Sequence, residues 1–251
     1  MPGFVHLHVH SHFSFMDGAA SLDGLVGRAG HLGMPAIALT DHQGLSGAIR
    51  FYRTALKAGI KPILGAEIVV EAAGIEGAES DLPPAERLAR PRPAGFGRAS
   101  AAGFHLTLLC RDMTGYRNLC TLLSRAHLRA DGAEDDLGGA RSVVTLHDLS
   151  RLSEGLIALS GCGNGEVGAS VLAGVPWRAR AAATRLARCF APGDFHIELM
   201  HAMTPEAPEY LRTLADLAAA LKLPDARCSR PIPSAAATPC ATRSATGCCS
   251  T

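Results

Sequence analysis

Short apolar runs alternate with helix-like stretches along most of this 251-residue chain, and that alternation limits the fold more than any other feature. The predicted strands span residues 4–10, 35–40, 60–70, 104–110, 155–160 and 195–200. The predicted helices span residues 21–32, 46–58, 115–128, 177–189 and 205–221. Strands that alternate with helices in this way are typical of an α/β fold whose strands run parallel.

Two stretches interrupt the alternation. Residues 71–103 contain Pro83, Pro84, Pro91 and Pro93 among many Ala, Gly and Arg residues, which predicts a flexible insertion at the surface. Residues 226–251 include no acidic or aromatic residue, and Ile232 is their one large aliphatic side chain. Such a segment buries too little apolar surface to offset its ordering entropy, so we expect a domain over residues 1–224 and a disordered tail over 225–251.

Composition narrows the partners and the location. The 24 Lys and Arg residues nearly balance the 23 Asp and Glu residues, whereas a chain that grips nucleic acid through its whole surface would be markedly basic. No apolar run approaches the ~20 residues of a membrane span, and no leader-like segment opens the sequence. The eight cysteines include no CxxC pair, which excludes a cysteine-rich zinc finger and favours reduced thiols. We therefore expect a cytoplasmic protein without membrane contact.

Four histidines occupy even positions near the N-terminus: His6, His8, His10 and His12. Alternate side chains of a strand share one face, so the first three are predicted to point the same way. Two imidazoles on one face can bind a single cation, because neutral imidazole is a common ligand of zinc, manganese and iron. A histidine-rich terminus without a role is the alternative, but the apolar strand and the nearby Asp17 favour a site.

Further candidates follow or lie in the next two predicted strands. Asp41 and His42 come directly after strand 35–40, and loops at the carboxyl ends of strands are where α/β folds bind ligands. Asp41 either orients the imidazole beside it or forms an ordinary turn. Glu67 lies in an apolar run, where a carboxylate is costly to bury unless it is paired or bound to metal. An exposed glutamate at a strand end is the alternative.

His105 and Cys162 are weaker candidates when each is taken alone. His105 opens a strand and is compatible with an ordinary strand-edge histidine, and Cys162 lies between two glycines just past another strand, where a small buried side chain is the alternative. Taken together, imidazoles, carboxylates and a thiol near strand ends in five segments suit a site for more than one divalent ion. Mixed nitrogen and oxygen ligands favour zinc, manganese or iron over calcium.

Several motifs in order resemble the PHP (polymerase and histidinol phosphatase) domain, in the form found at the N-terminus of bacterial DNA polymerase III alpha subunits. The motifs are FVHLHVHS and FSFMDG within 4–18, LGMPAIALTDH at 32–42, AGIKPILGAE at 58–67, FHLTLL at 104–109, TGYRNL at 114–119 and GLIALSGC at 155–162. The resemblance covers roughly residues 4–224 and implies a distorted (βα)7 barrel.

The resemblance also implies a metal cluster, since the family binds up to three divalent ions through as many as nine residues. The ligands that it implies here are His8, His10, Asp17, His42, Glu67, His105 and Cys162. The catalytic residues that it implies are His8, His10, His42 and Glu67. The last two family ligands, an Asp and a His, are expected just after Pro224, where this chain continues differently from Asp225 onward. We therefore expect fewer ions and a barrel without its last strand, and a shifted reading frame is our hypothesis for the tail.

The function that the resemblance implies is that of the PHP portion of a DNA polymerase III alpha subunit in replication or translesion synthesis. Where the metals are kept, such a domain can act as a 3′–5′ exonuclease or phosphoesterase. The sequence lacks a polymerase catalytic domain, so contact with DNA is expected through the rest of a polymerase, with replisome or proofreading subunits as further partners. The alternatives are a stand-alone phosphoesterase of the histidinol-phosphatase kind and a non-catalytic structural module. Residues 124–128 and 163–168 lean towards the error-prone paralogue.

Overall fold

The computed structural model describes residues 4–15, 17–71, 103–129, 142–200 and 207–227. The strands are β1 (Ala36–Leu39), β2 (Lys61–Glu71), β3 (Gly103–Cys110), β4 (Leu156–Leu159), β5 (Phe195–Leu199) and β6 (Asp225–Arg227). The helices are α1 (Leu22–His31), α2 (Ala48–Lys57), α3 (Met113–Leu128), α4 (Leu146–Arg151), α5 (Glu166–Leu172), α6 (Pro176–Ala187) and α7 (Ala207–Leu221). Most of the predicted insertion and tail, 72–102 and 228–251, lies outside the described residues.

The six strands form one sheet in the order of the chain, from β1 to β6. β1 and β2 are parallel, as are β4, β5 and β6, but β3 runs antiparallel to both of its neighbours. The prediction of parallel strands throughout is therefore wrong at β3. Glu71 at the end of β2 pairs with Gly103 at the start of β3, so the chain re-enters the sheet beside the point where it left and must run back along β2.

The N-terminal segment 4–10, predicted as a strand, follows β1 without forming a regular ladder. A single parallel bridge joins His6 to Ile37, and the Ala38 and Thr40 N–H groups each donate to this segment at 2.9 Å. The Thr40 hydroxyl lies 2.9 Å from the Val9 N–H and 3.1 Å from its carbonyl oxygen. Because a side chain takes these two main-chain groups, the segment stays extended but lacks the regular pairing of a strand.

Residues 225–227, predicted as the start of the disordered tail, instead form β6. The Ile197 N–H donates to the Pro224 carbonyl at 2.9 Å, and the strand pairs in parallel with β5. A ladder is made by main-chain groups, so it forms whatever side chains these three residues carry. The tail prediction thus began three residues too early, because the change in composition at 226 is not a boundary in the structure.

The sheet curls into half a barrel, which confirms the predicted α/β fold with a distorted barrel. Glu67 on β2 and Glu198 on β5 both approach the ring of His8, at 2.9 and 2.8 Å. In a flat sheet these strands would lie about 14 Å apart, three spacings of roughly 4.8 Å. The curvature therefore brings side chains from distant strands onto one concave face.

Two apolar clusters support this arrangement from the outside. The smaller one packs α1 and α2 against β1, with Leu22, Val26, Ile37 and Phe51 buried. The larger one joins α3 to α7 with β2 to β5. Burial of that much apolar area fixes the strands rigidly, so the polar residues on the concave face are held in place by the core behind them. No helix among the described residues is long and apolar enough to cross a membrane.

Candidate metal centre

Glu67 is the centre of a polar cluster on the concave face of the sheet. Its side chain is 1% exposed, and three imidazoles reach it from different segments. His8 Nε2 lies 2.9 Å from Oε2, while His42 Nδ1 and His105 Nδ1 lie 2.8 and 2.6 Å from Oε1. The N-terminal segment, the loop after β1 and strand β3 thus converge on one carboxylate of β2.

A second part of the cluster lies towards solvent and centres on His10. Its Nε2 is 3.0 Å from Nε2 of His8, and its ring stacks on that of His42 with centroids 4.3 Å apart. Asp17 Oδ2 lies 3.0 Å from His42 Nε2 and 4.0 Å from His10 Nε2. The Asp17 side chain is 55% exposed, so the cluster opens to solvent on this side and is closed at Glu67.

The described residues form three overlapping groups of ligand atoms, each with its atoms within 4.8 Å of one another. The groups are His8, His10 and Glu67; His10, Asp17 and His42; and His42, Glu67 and His105. Each group shares a member with the next, which is the arrangement expected of neighbouring divalent ions that share bridging ligands. Imidazole nitrogens with carboxylate oxygens are suitable ligands for zinc, manganese or iron.

The hydrogen bonding of Glu67 tests whether these residues fit a metal. Both of its carboxylate oxygens and Nδ1 of His105 are buried, yet they form no well-directed hydrogen bond with any described residue. Buried polar atoms are almost always paired, because an unpaired one costs about 1–3 kcal/mol. Imidazole nitrogens that lie 2.6–2.9 Å from the Glu67 oxygens without forming well-directed hydrogen bonds can instead bind the same cation as the carboxylate. The residues therefore fit divalent metal binding.

The pKa values of Glu67 and His8 are shifted in opposite directions. Burial by itself would raise the pKa of Glu67, but the imidazoles of His105 and His8 hold it well below its usual range. Burial disfavours a charged His8 as well, yet Glu198 and Glu67 raise the pKa of His8 well above its ordinary value. Without metal this interior is a compensated set of charges, and a cation that enters must displace protons from the imidazoles.

The pKa values of the two stacked histidines, His10 and His42, are also shifted in opposite directions. Burial lowers the pKa of His10 to about 4, so its ring is neutral at pH 7. For His42 the effect of burial is outweighed by the hydrogen bond to Asp17 and by the nearby carboxylate of Glu67, which raise its pKa to about 9. A neutral ring beside a charged one avoids repulsion between two stacked cations.

The loop that carries His10 and Asp17 is anchored by Asp41. This carboxylate is buried and accepts hydrogen bonds from the N–H and hydroxyl of Ser11, at 2.6 and 2.8 Å, and from the Ser14 hydroxyl at 2.8 Å. Since the Ser14 hydroxyl donates to Asp41, it can accept from His10 Nδ1 at 3.1 Å, which leaves Nε2 of that ring for a metal. Asp41 thus anchors this loop and supports His10 through Ser14, whereas the ring nitrogens of the neighbouring His42 contact Asp17 and Glu67 instead.

Cys162 lies outside the three groups of ligand atoms that the described residues form. Its sulfur accepts a hydrogen bond from the Asn164 N–H at 3.4 Å, and burial together with the charge of Glu67 raises the pKa of the thiol well above its usual value. A thiol in this environment is protonated in the absence of metal. The assignment of Cys162 as a ligand stays a prediction.

Sequence reasoning missed Glu198. This residue is 1% exposed in β5, and its Oε1 lies 2.8 Å from Nδ1 of His8. Its signal was the one that identified Glu67: a carboxylate within a short apolar strand, Phe195–Leu199, which is costly to bury without a partner.

Comparison with known proteins gives the affiliation of the chain. A family model described as the PHP domain matches residues 6–202. An error-prone DNA polymerase of Symbiobacterium thermophilum is 41% identical over 88% of this chain, and DNA polymerase III subunit alpha of Escherichia coli K12 is 37% identical over 89%. The chain spans 18% and 17% of the lengths of these two relatives.

Solved structures agree on the fold at low sequence identity. An amidohydrolase from Chromobacterium violaceum has a TM-score of 0.52 at 16% identity, and the alignment covers 91% of this chain and 88% of that protein. A protein described as a metal-dependent phosphoesterase from Bifidobacterium adolescentis has a TM-score of 0.50 at 15% identity, with 87% and 84% covered. With the family model matching most of its length, the chain belongs to the PHP domain family.

Proposed function

We propose that this chain is the PHP portion of a bacterial DNA polymerase III alpha subunit, or of its error-prone relative, and that it hydrolyses phosphodiester bonds at DNA 3′ ends. The observation that carries the catalytic part is the buried carboxylate of Glu67, which three imidazoles approach within 2.9 Å without satisfying it. The polymerase setting is supported by relatives at 41% and 37% identity.

The chain would hold divalent ions through His8, His10, Asp17, His42, Glu67 and His105, with Cys162 as a further ligand. When bound, such ions activate water and stabilise the negative charge that develops on a phosphoryl group. Asp17, His10 and His42 form the open side, where side chains are 55%, 19% and 28% exposed. A DNA end would enter there, while the buried Glu67 and His8 hold the closed side rigid.

The domain would act as one part of a larger polymerase. A metal-binding domain that extends through β6, with an insertion between β2 and β3, would contact DNA through the remainder of a polymerase in the bacterial cytoplasm. Proofreading or other replisome subunits are further candidate partners. The near-neutral charge of +1 agrees with this, since a chain that grips nucleic acid through its whole surface would be markedly basic.

The test is removal of nucleotides from a 5′-labelled oligonucleotide by the full chain, loaded in turn with Zn²⁺, Mn²⁺ or Fe²⁺. We expect shortening from the 3′ end that is lost with a chelator and in His10→Ala, because this ring joins two of the three ligand groups. His31→Ala, on an exposed position of α1, is the matched control and should keep full activity.

The other outcomes distinguish the alternatives. Hydrolysis of small phosphate monoesters such as histidinol phosphate, without any action on DNA, would identify a stand-alone phosphoesterase. A metal content near zero with no nucleotide release would leave the role of a structural module. Full exonuclease activity in His10→Ala would contradict the proposed site.

A further inference from the structure

His8 lies between two buried carboxylates that come from strands far apart in the sheet. Its Nε2 is 2.9 Å from Glu67 Oε2 and 3.0 Å from His10 Nε2, so this nitrogen faces the other candidate ligands. Its Nδ1 is 2.8 Å from Glu198 Oε1, and the side chains of His8 and Glu198 are 1% and 0% exposed. The ring is therefore fixed at both of its nitrogens.

We propose that Glu198 is a positioning residue of the metal centre, which accepts the Nδ1 proton of His8 and so leaves Nε2 free to bind the metal. In a neutral imidazole one ring nitrogen carries a proton and the other has a free lone pair. A carboxylate beside one nitrogen determines that this nitrogen carries the proton. A carboxylate in this position also orients the ring and makes the other nitrogen a stronger ligand. The inference rests on the metal centre described under the proposed function.

Three observations favour this role over that of a direct ligand, even though Oε2 of Glu198, like the oxygens of Glu67, is buried and forms no hydrogen bond with any described residue. None of the three ligand groups formed by the described residues includes Glu198. Its main-chain N–H donates to the Ser160 hydroxyl at 2.9 Å, which ties β5 to the end of β4. Thr107 Oγ1 lies 3.3 Å from the same Nδ1 of His8, so a second polar group from β3 supports the ring on this side.

The enclosure of His8 explains why it needs a fixed acceptor at Nδ1. His10 and His42 are partly exposed and contact several neighbours, whereas His8 is enclosed and cannot turn without breaking its contacts on both sides. If the proton were on Nε2, it would point at Glu67 and block the nitrogen that a metal needs. Glu198 removes this competition by offering an acceptor at Nδ1.

The experiment compares zinc affinity of the wild-type full chain and Glu198→Gln by competition with a chromophoric chelator. Gln keeps the size of the side chain but removes its charge, so we expect affinity to fall by roughly 10- to 100-fold. Glu209→Gln, at an exposed position of α7, is the control and should leave affinity unchanged. Long-range proton–nitrogen NMR spectra of the zinc-bound wild type should show His8 protonated at Nδ1.

Two results would overturn the inference and leave the metal centre intact: equal zinc affinity of Glu198→Gln and the wild type, or a zinc-bound His8 protonated at Nε2. The NMR measurement on the wild type decides the question if Glu198→Gln fails to fold. Failure of the wild type to bind zinc, manganese or iron would overturn the proposed function, and the inference with it.

Discussion

Glu67→Gln should abolish metal binding while the protein still folds. Glu67 belongs to two of the three ligand groups, so its loss affects more than one ion position. A neutral amide is a far weaker ligand than a carboxylate, and the amide N–H₂ would point at imidazoles that now lack a counter-charge. Loss of a residue that only hydrogen-bonds a metal ligand lowers metal affinity by roughly 10- to 100-fold. We expect the loss of Glu67 to lower zinc affinity by more than that.

The measurement is metal stoichiometry by mass spectrometry, together with chelator competition on the same preparation. Thermal unfolding followed by circular dichroism shows whether the variant is folded, and Glu209→Gln provides the same chemical change at an exposed site. Retention of wild-type metal content by a folded Glu67→Gln variant would remove Glu67 from the centre of the site.

Asp41→Ala should have the largest effect on stability. The buried carboxylate accepts three hydrogen bonds, at 2.6, 2.8 and 2.8 Å, from Ser11 and Ser14. Hydrogen bonds to a charged group contribute about 1.5–3 kcal/mol each, and the substitution leaves three buried donors unpaired. Because such terms are not additive, we expect the free energy of unfolding to fall by about 3–5 kcal/mol.

Urea unfolding of the apoprotein measures this loss without interference from metal. Asp216→Ala, on an exposed position of α7, is the matched control and should change the free energy of unfolding by less than about 0.5 kcal/mol. The same variant should bind zinc more weakly, since Ser14 would no longer hold His10 in place. A stability close to that of the wild type would mean that the loop is supported by other contacts.

The sequence predicted the positions of the strands and helices better than the directions in which the strands run. Hydrophobic patterns located β1 to β5 and most helices, because each needs one apolar face against a core. The same patterns carry no information on whether β3 runs parallel or antiparallel, since both arrangements bury identical side chains. That direction follows from the pairing of Glu71 with Gly103, a contact between distant residues.

The site was predictable to the extent that its residues stand out locally. His8 and His10 share a face as their spacing of two requires, and Glu67 is buried as its apolar strand indicated. The role of Asp41 was not decidable from the dipeptide, because it depends on serines about 30 positions away in the chain. Glu198 carried the same local signal as Glu67, a carboxylate within a short apolar strand, but its contact with His8, 190 positions away in the chain, was not predictable.

The most direct test of the shared centre at Glu67 is a crystal structure of the zinc-loaded protein with anomalous scattering recorded at the zinc edge. The predicted result is a peak about 2.0–2.2 Å from a Glu67 oxygen and from an imidazole nitrogen of His8, His42 or His105. Zinc bound elsewhere, with no peak beside Glu67 at saturating metal, would contradict the account.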